Sequence, residues 1–242
     1  MDGKTLKVLI YTQSDTFADA LFHMGITLYR SKNPGDLIDK IQKYFPEIVV
    51  LDFTNEDSTA TFKLVNQIKD HPDEKIKKTA IILLFGSIDI GNISSAIQAG
   101  VAGFIKINAA ADLIYDYITT LYQKVRDVPP ERKYVRIQID PKERIGVRFW
   151  SPVNLILIVG RIKDISFGGI AVELVGTYPA DSLAIGTELK SMQFVLDGKY
   201  VFIDGVVAAC LEKFCAIQFR DITPEIKEII SRYIFEKICL YV

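Results

Sequence analysis

Histidine and cysteine are scarce in this chain of 242 residues: two of the first, three of the second. Neither His23 nor His71 has a cysteine, serine or acidic neighbour in a catalytic pattern. Cys210, Cys215 and Cys239 show neither metal-ligand spacing nor a disulfide framework, so they read as buried free thiols. No metal and no cofactor is expected. Long apolar runs are missing too. None approaches the roughly 20 residues that cross a bilayer, and Met1-Asp2-Gly3-Lys4 does not open a signal peptide. The expectation is a cytoplasmic chain without membrane insertion. Charge of one sign is likewise absent: 29 Lys and Arg against 30 Asp and Glu leave a net charge of −1. Nucleic acid and anionic lipid therefore find no global attraction. The cluster Lys75, Lys77, Lys78 is broken by Ile76 and reads as a solvated loop. Repeats and low-complexity tracts are also lacking.

What is present is ordinary globular material, 49% hydrophobic and 24% charged, enough for one large or two modest domains. Two patterns divide it. Up to residue 126, short apolar runs alternate with helical spacing. Strands are expected at Lys7–Tyr11, Glu47–Asp52, Ala80–Phe85 and Gly103–Ile107. Helices are expected at 16–24, 34–45, around Phe62 to Ile68, at 93–98 and at 112–125. Continuous apolar strands between helices imply a parallel sheet covered on both faces, about five βα units in all.

Val128-Pro129-Pro130 marks a seam, because consecutive prolines cannot continue a helix. Beyond it the pattern becomes short extended runs with no helix between them: 134–139, 144–150, 155–165, 169–174, 188–196, 199–208 and 214–219. Asp197-Gly198 is a hairpin signal, and Gly205 suggests a bulge or corner. This is the pattern of a small antiparallel barrel. A last helix is expected to start at Thr223 as N-cap with Pro224 at its first position. Its apolar stripe is Ile226, Ile229, Ile230, Tyr233, Ile234 and Ile238. The expected domains are 1–126, a linker 127–136, and a barrel with C-terminal helix over 137–242.

Two motifs flank the start of the barrel. Arg132-Lys133-Tyr134-Val135-Arg136 reads RxxxR, and Asp164-Ile165-Ser166-Phe167-Gly168-Gly169 reads DxSxxG. Each alone is common, but in this order, after the Pro-Pro seam, the pair resembles the PilZ family, whose members bind cyclic di-GMP. The resemblance implies a ligand that is a dianion with two guanines. Arginine suits phosphate and the guanine N7/O6 edge because its fork is planar and permanently charged. Arg132 and Arg136 in an extended segment would point the same way, roughly 13 Å apart. Asp164 would accept from guanine N1–H and N2–H, and Ser166 offers a hydroxyl on the same strand face. Gly168 and Gly169 would supply turn conformations barred to other residues and close approach to the ligand. Glu131 stands where some relatives carry another arginine.

The first half resembles the receiver domain of response regulators, on Pro46-Glu47-Ile48-Val49-Val50-Leu51-Asp52 and Ala99-Gly100-Val101-Ala102-Gly103-Phe104. The resemblance makes Asp52 the candidate phosphoacceptor. The rest of that chemistry is damaged. The acidic pair expected after the first strand is replaced by Tyr11-Thr12-Gln13-Ser14, with no acid before Asp15. Leu84 or Phe85 ends the fourth strand in place of Thr or Ser, and Lys106 falls one position early, on the wrong strand face. Asp52 is then expected to be a solvent-facing strand-terminal acid in a pseudo-receiver. Together the resemblances imply a non-enzymatic cyclic di-GMP effector. Ligand would order the linker and re-aim the two domains toward an unidentified protein partner of the receiver-like half, with motility, adhesion or virulence as outputs. The alternatives are a phosphorylation-driven regulator using Asp52, or an interaction protein whose barrel binds no nucleotide.

Overall fold

The computed structural model describes residues 6–12, 17, 26–54, 58–126, 134–211 and 213–240. The chain divides into two compact units, Met1–Lys133 with Ile238–Val242, and Tyr134–Lys237.

The first unit is an α/β sheet. Its elements are β1 (Lys7–Tyr11), β2 (Thr27–Ser31), α1 (Leu37–Tyr44), β3 (Ile48–Asp52), α2 (Ser58–Lys69), α3 (Glu74–Lys77), β4 (Ala80–Phe85), α4 (Ile90–Ala99), β5 (Gly103–Lys106) and α5 (Ala111–Arg126). The five strands pair in parallel in the order β2-β1-β3-β4-β5. This is a receiver-like arrangement. β3 and β4 are buried at every residue, as central parallel strands sandwiched between helices must be. The helix expected at 16–24 lies outside the described residues apart from Phe17, which is buried. β2 was invisible in the sequence. It sits at the sheet edge, four of its five residues are half-buried, and Thr-Leu-Tyr-Arg-Ser makes no apolar run. The Lys75–Lys78 cluster is not a plain loop. Asp73 accepts from Lys75 N–H at 2.8 Å and caps the short α3, whose Ile76 is buried.

The second unit is a closed antiparallel barrel. β6 (Arg136–Gln138), β7 (Gly146–Trp150), β8 (Leu157–Ser166), β9 (Gly169–Leu174), β10 (Glu188–Leu196), β11 (Lys199–Leu211) and β12 (Phe214–Arg220) are followed by α6 (Pro224–Ile238). The ring runs β8-β7-β10-β11-β12-β9 and closes by β9 pairing with β8, while β6 extends the β8 edge. Burial alternates along β7, β8 and β9, apolar side chains inward. Asp197 and Gly198, both at positive φ (47° and 76°), make the expected tight hairpin between β10 and β11. Gly205 faces a bulge in β10, and a β-carbon there would run into Met192 and Ile217. Thr223 caps α6, its hydroxyl accepting from Ile226 N–H at 3.4 Å. Ile229, Ile230, Tyr233 and Ile234 are buried. Tyr233 donates to the Glu143 carboxylate at 2.6 Å, and Lys237 bridges to the same carboxylate.

Two boundaries differ from the sequence expectation. Arg136 belongs to a barrel strand, not to a linker. The chain end leaves the barrel unit: β13 (Cys239–Leu240) adds a sixth parallel strand to the β5 edge, with Cys239 opposite Phe104 and Leu240 opposite Ile105. Tyr117 of α5 secures it, donating to Ile238 C=O and accepting from Phe104 N–H at 3.2 Å. Gly103 is glycine because the Tyr117 hydroxyl occupies the place a β-carbon would take. Among the described residues no helix is long and apolar enough to cross a membrane.

Candidate functional site

The length of β8 builds the candidate site. Its first half pairs with β7, and its last residues pair with β6. In that register Arg136 stands opposite Ser166 and Gln138 opposite Asp164. On the other edge Ser166 stands opposite Gly169. Side chains directly across an antiparallel pair share a face, and the diagonal neighbours are within reach of long ones. Arg136 uses that diagonal: its Nη1 lies 3.4 Å from Asp164 Oδ1. The two side chains are 38% and 24% exposed, so the pair remains in contact with water. Ser166 is buried, and its hydroxyl donates to Gly169 C=O at 3.3 Å.

Three expectations need correcting or delimiting. Arg136, expected in a linker that ligand would order, already lies on β6 and is paired with Asp164. Arg132, with Pro129 and Pro130, lies outside the described residues, so only one side of the expected arginine bracket is seen. Gly168 and Gly169 do not take positive φ. Their glycine requirement is packing. A β-carbon on Gly168 would come within 2.9 Å of the Tyr134 ring, and one on Gly169 would strike the carbonyl of Ile217 on β12.

Tyr134 is the residue the sequence reading missed. Its ring packs on Phe167 with centroids 5.5 Å apart and covers Gly168. It thereby fastens the chain just before β6 to the DxSxxG turn. The only available signal was an aromatic between the two arginines.

At the receiver-like end, Asp52 is 8% exposed, not solvent-facing. Its Oδ2 accepts from the Thr12 hydroxyl at 2.6 Å, and its Oδ1 accepts from Thr54 N–H at 2.9 Å and from the Thr54 hydroxyl. The Thr12 contact links the end of β1 to the end of β3. β4 ends in buried Leu84 and Phe85, with exposed Ser87 beyond. Lys106 ends β5 opposite Phe85, half-buried. Gln13, Ser14 and Asp15 lie outside the described residues, as does His23. His71 accepts from Asp73 N–H through Nδ1 at 3.0 Å and approaches Gln42 through Nε2 at 3.3 Å, local turn contacts. Among the described residues no group of three or more His, Cys, Asp or Glu is arranged to hold a metal.

A cleft of about 460 Å³ lies elsewhere on the barrel, lined by Glu188, Lys190, Asp204, Arg220 and Asp221 among others. Lys190 reaches Asp204 at 2.9 Å, and Ser191 N–H donates to the same carboxylate at 2.9 Å. The Ser191 amide and then Lys190 hold the Asp204 carboxyl below its usual range. This is an ion-pair network around the β10 bulge. Neither this cleft nor a second of about 260 Å³ beside Trp150 includes Arg136, Asp164 or Ser166.

The family model of the PilZ domain matches residues 130–236. No curated protein sequence matches the chain. Among solved structures the chain is similar to the PilZ domain with c-di-GMP of YcgR from Escherichia coli, at 17% identity over 44% of this chain and 91% of that one (TM-score 0.39). It is similar to the K. pneumonia MrkH-c-di-GMP complex at 22% identity, over 45% and 53% (TM-score 0.41). It is also similar to a response regulator from Thermotoga maritima at 17%, over 50% and 99% (TM-score 0.44). The family match makes residues 130–236 a PilZ domain, preceded in sequence by an α/β unit of receiver-like strand order.

Proposed function

We propose that this chain is a cyclic di-GMP effector that binds the dinucleotide on the outward face of β6 and β8, and is not an enzyme. The observation that carries the reading is the register that sets Arg136 opposite Ser166 and beside Asp164 within a PilZ domain. The face offers a forked cation for a phosphodiester and a carboxylate for the guanine N–H edge; the buried Ser166 hydroxyl, whose proton goes to Gly169 C=O, keeps its lone pairs to accept. Ligand phosphate would compete with Asp164 for the Arg136 guanidinium, releasing the carboxylate to the base. Arg132 would complete the grip from the segment that joins the units, and so couple occupancy to that junction. Ligand shifts such a coupling only as far as it prefers one arrangement over the other. A protein partner of the receiver-like unit would read the outcome. A cytoplasmic setting agrees with the ligand class.

Calorimetric titration of the whole chain with cyclic di-GMP and with cyclic di-AMP tests the site. Binding of the first alone, and loss of that preference in Asp164→Ala, is expected. An Asp164→Ala variant that still excludes the adenine dinucleotide would remove Asp164 from base recognition. A native chain that binds neither would leave the barrel as an interaction module.

A further inference from the structure

By sequence, Cys210 and Cys215 stand as separate thiols. The pairing of β11 with β12 brings them together. Val201, Ile203, Gly205 and Val207 face inward along β11. Strict alternation would continue through Ala209 and turn Cys210 outward. Instead the register shifts: Val207 stands opposite Ile217, but Ala209, not Ala208, stands opposite Ala216. The extra residue reverses the phase. Beyond it Cys210 stands directly opposite Cys215, on the inner side, and Cys215 in turn stands opposite buried Val172 of β9.

Directly opposed residues of an antiparallel pair have Cα atoms about 4.5–5.5 Å apart. A disulfide requires roughly 4.4–6.8 Å. The register alone therefore meets the distance condition without moving the backbone. Both thiols are free. Their surroundings differ: Cys210 is half-buried, and Cys215 is 1% exposed. Burial first, and the Cys210 thiol next, push the Cys215 thiol up to about 12. Of the two, Cys210 is the one a reagent meets first.

We infer that Cys210 and Cys215 form a reversible dithiol–disulfide site whose oxidant is a small-molecule disulfide of the glutathione class. The Cys210 thiolate attacks one sulfur of that disulfide, whose S–S bond breaks and releases one small thiolate. Cys215 then gives up its proton, its sulfur attacks Cys210 Sγ, and the second small thiolate leaves. Two protein thiols have been oxidised by two electrons, and one small disulfide has become two thiols.

Lys213 lies between the two cysteines, so trypsin separates them unless a bond joins them. The whole native chain is equilibrated over a range of glutathione disulfide to glutathione ratios, quenched with acid, alkylated and digested without reductant. Expected is a linked species of peptides 200–213 and 214–220, two hydrogens lighter than their sum, rising from none to the dominant form as the ratio increases. It should disappear on return to excess glutathione. It should be absent in Cys210→Ser and Cys215→Ser, and persist in Cys239→Ser. Two results overturn the inference. One is Cys210 found only as its glutathione mixed disulfide, with Cys215 alkylated, at every ratio. The other is a linked species formed to the same extent in urea-unfolded chain.

Discussion

Under the proposed function Arg136 would serve two opposed demands, holding its strand in the unliganded barrel and holding a phosphodiester of the ligand. The exposed ion pair with Asp164 at 3.4 Å meets the first weakly, because exposed pairs contribute between about 0 and 1 kcal/mol. Arg136→Ala should therefore leave the melting temperature of the unliganded protein nearly unchanged. A charge-assisted contact to ligand contributes about 1.5–3 kcal/mol, so the same variant should bind cyclic di-GMP roughly 10- to 150-fold more weakly in calorimetry. Unaltered affinity would move the site elsewhere. Glu143 is a second residue with a readable consequence. Lys237 first, and the Tyr233 hydroxyl next, hold its carboxyl below the usual carboxylate range. A depressed folded value contributes stability above the unfolded value, near 4.3, that is lost as pH falls through the folded one. Glu143→Gln should cost about 0.5–1 kcal/mol at pH 7 after solvent screening. In urea titrations the gap from the native protein should close as pH falls below about 4. A gap independent of pH would mean that the carboxylate charge plays no part.

Among the elements, β6 is the one whose order matters most to the site. It is three residues long, and Ile139 N–H beyond it donates to Lys163 C=O at 2.9 Å. Three residues of pairing are little, and the Tyr134 ring on Phe167 and Gly168 supplies the missing anchorage. Tyr134→Ala should lower stability by about 1 kcal/mol, from lost aromatic packing. It should also speed exchange of the Ile137 and Ile139 amides. Gly168→Ala should do the same by displacing the ring. Unchanged exchange in both variants would show that pairing alone holds β6. β13 is shorter still, and Tyr117 is its clasp. Burial drives the Tyr117 hydroxyl well above its ordinary value, so it stays a neutral donor at every working pH. Tyr117→Phe removes that donor and should cost about 1–2 kcal/mol. Faster trimming of the C-terminus by carboxypeptidase would report it, and a rate like that of the native chain would count against the clasp.

As a whole molecule the chain passes from the receiver-like unit into the barrel unit and returns at Ile238 to finish in the first sheet. The barrel is thus joined to the first unit at both of its ends. Each unit has its own apolar core, so each is expected to keep a local stability of its own. Cyclic di-GMP at 100 times its Kd stabilises whatever folded unit binds it by about 2.7 kcal/mol. Hydrogen exchange with and without ligand should therefore show that gain in peptides from residues 134–237. Gain confined to peptides of residues 26–126 would place the ligand on the wrong unit.

The two fold classes were legible in the residues. Buried parallel strands require unbroken apolar runs, as in Ala80–Phe85, and a barrel wall requires alternation, as in Gly146–Trp150. The chemistry of Asp164, Ser166 and Arg136 was legible as residue types in order. What only the tertiary structure decided depended on partners distant in the chain. β2 had no apolar run to betray it, since an edge strand is half-wet. The burial of Asp52 required Thr12 and Thr54 to converge on it. The packing need of Gly168 and Gly169 required a tyrosine and a carbonyl from other strands. The phase of Cys210 turned on one inserted residue, and the sixth strand on the chain end. Local periodicity encodes which face of a strand is apolar, but not which neighbour that face will meet, because neighbours are set by register and closure between segments far apart in sequence.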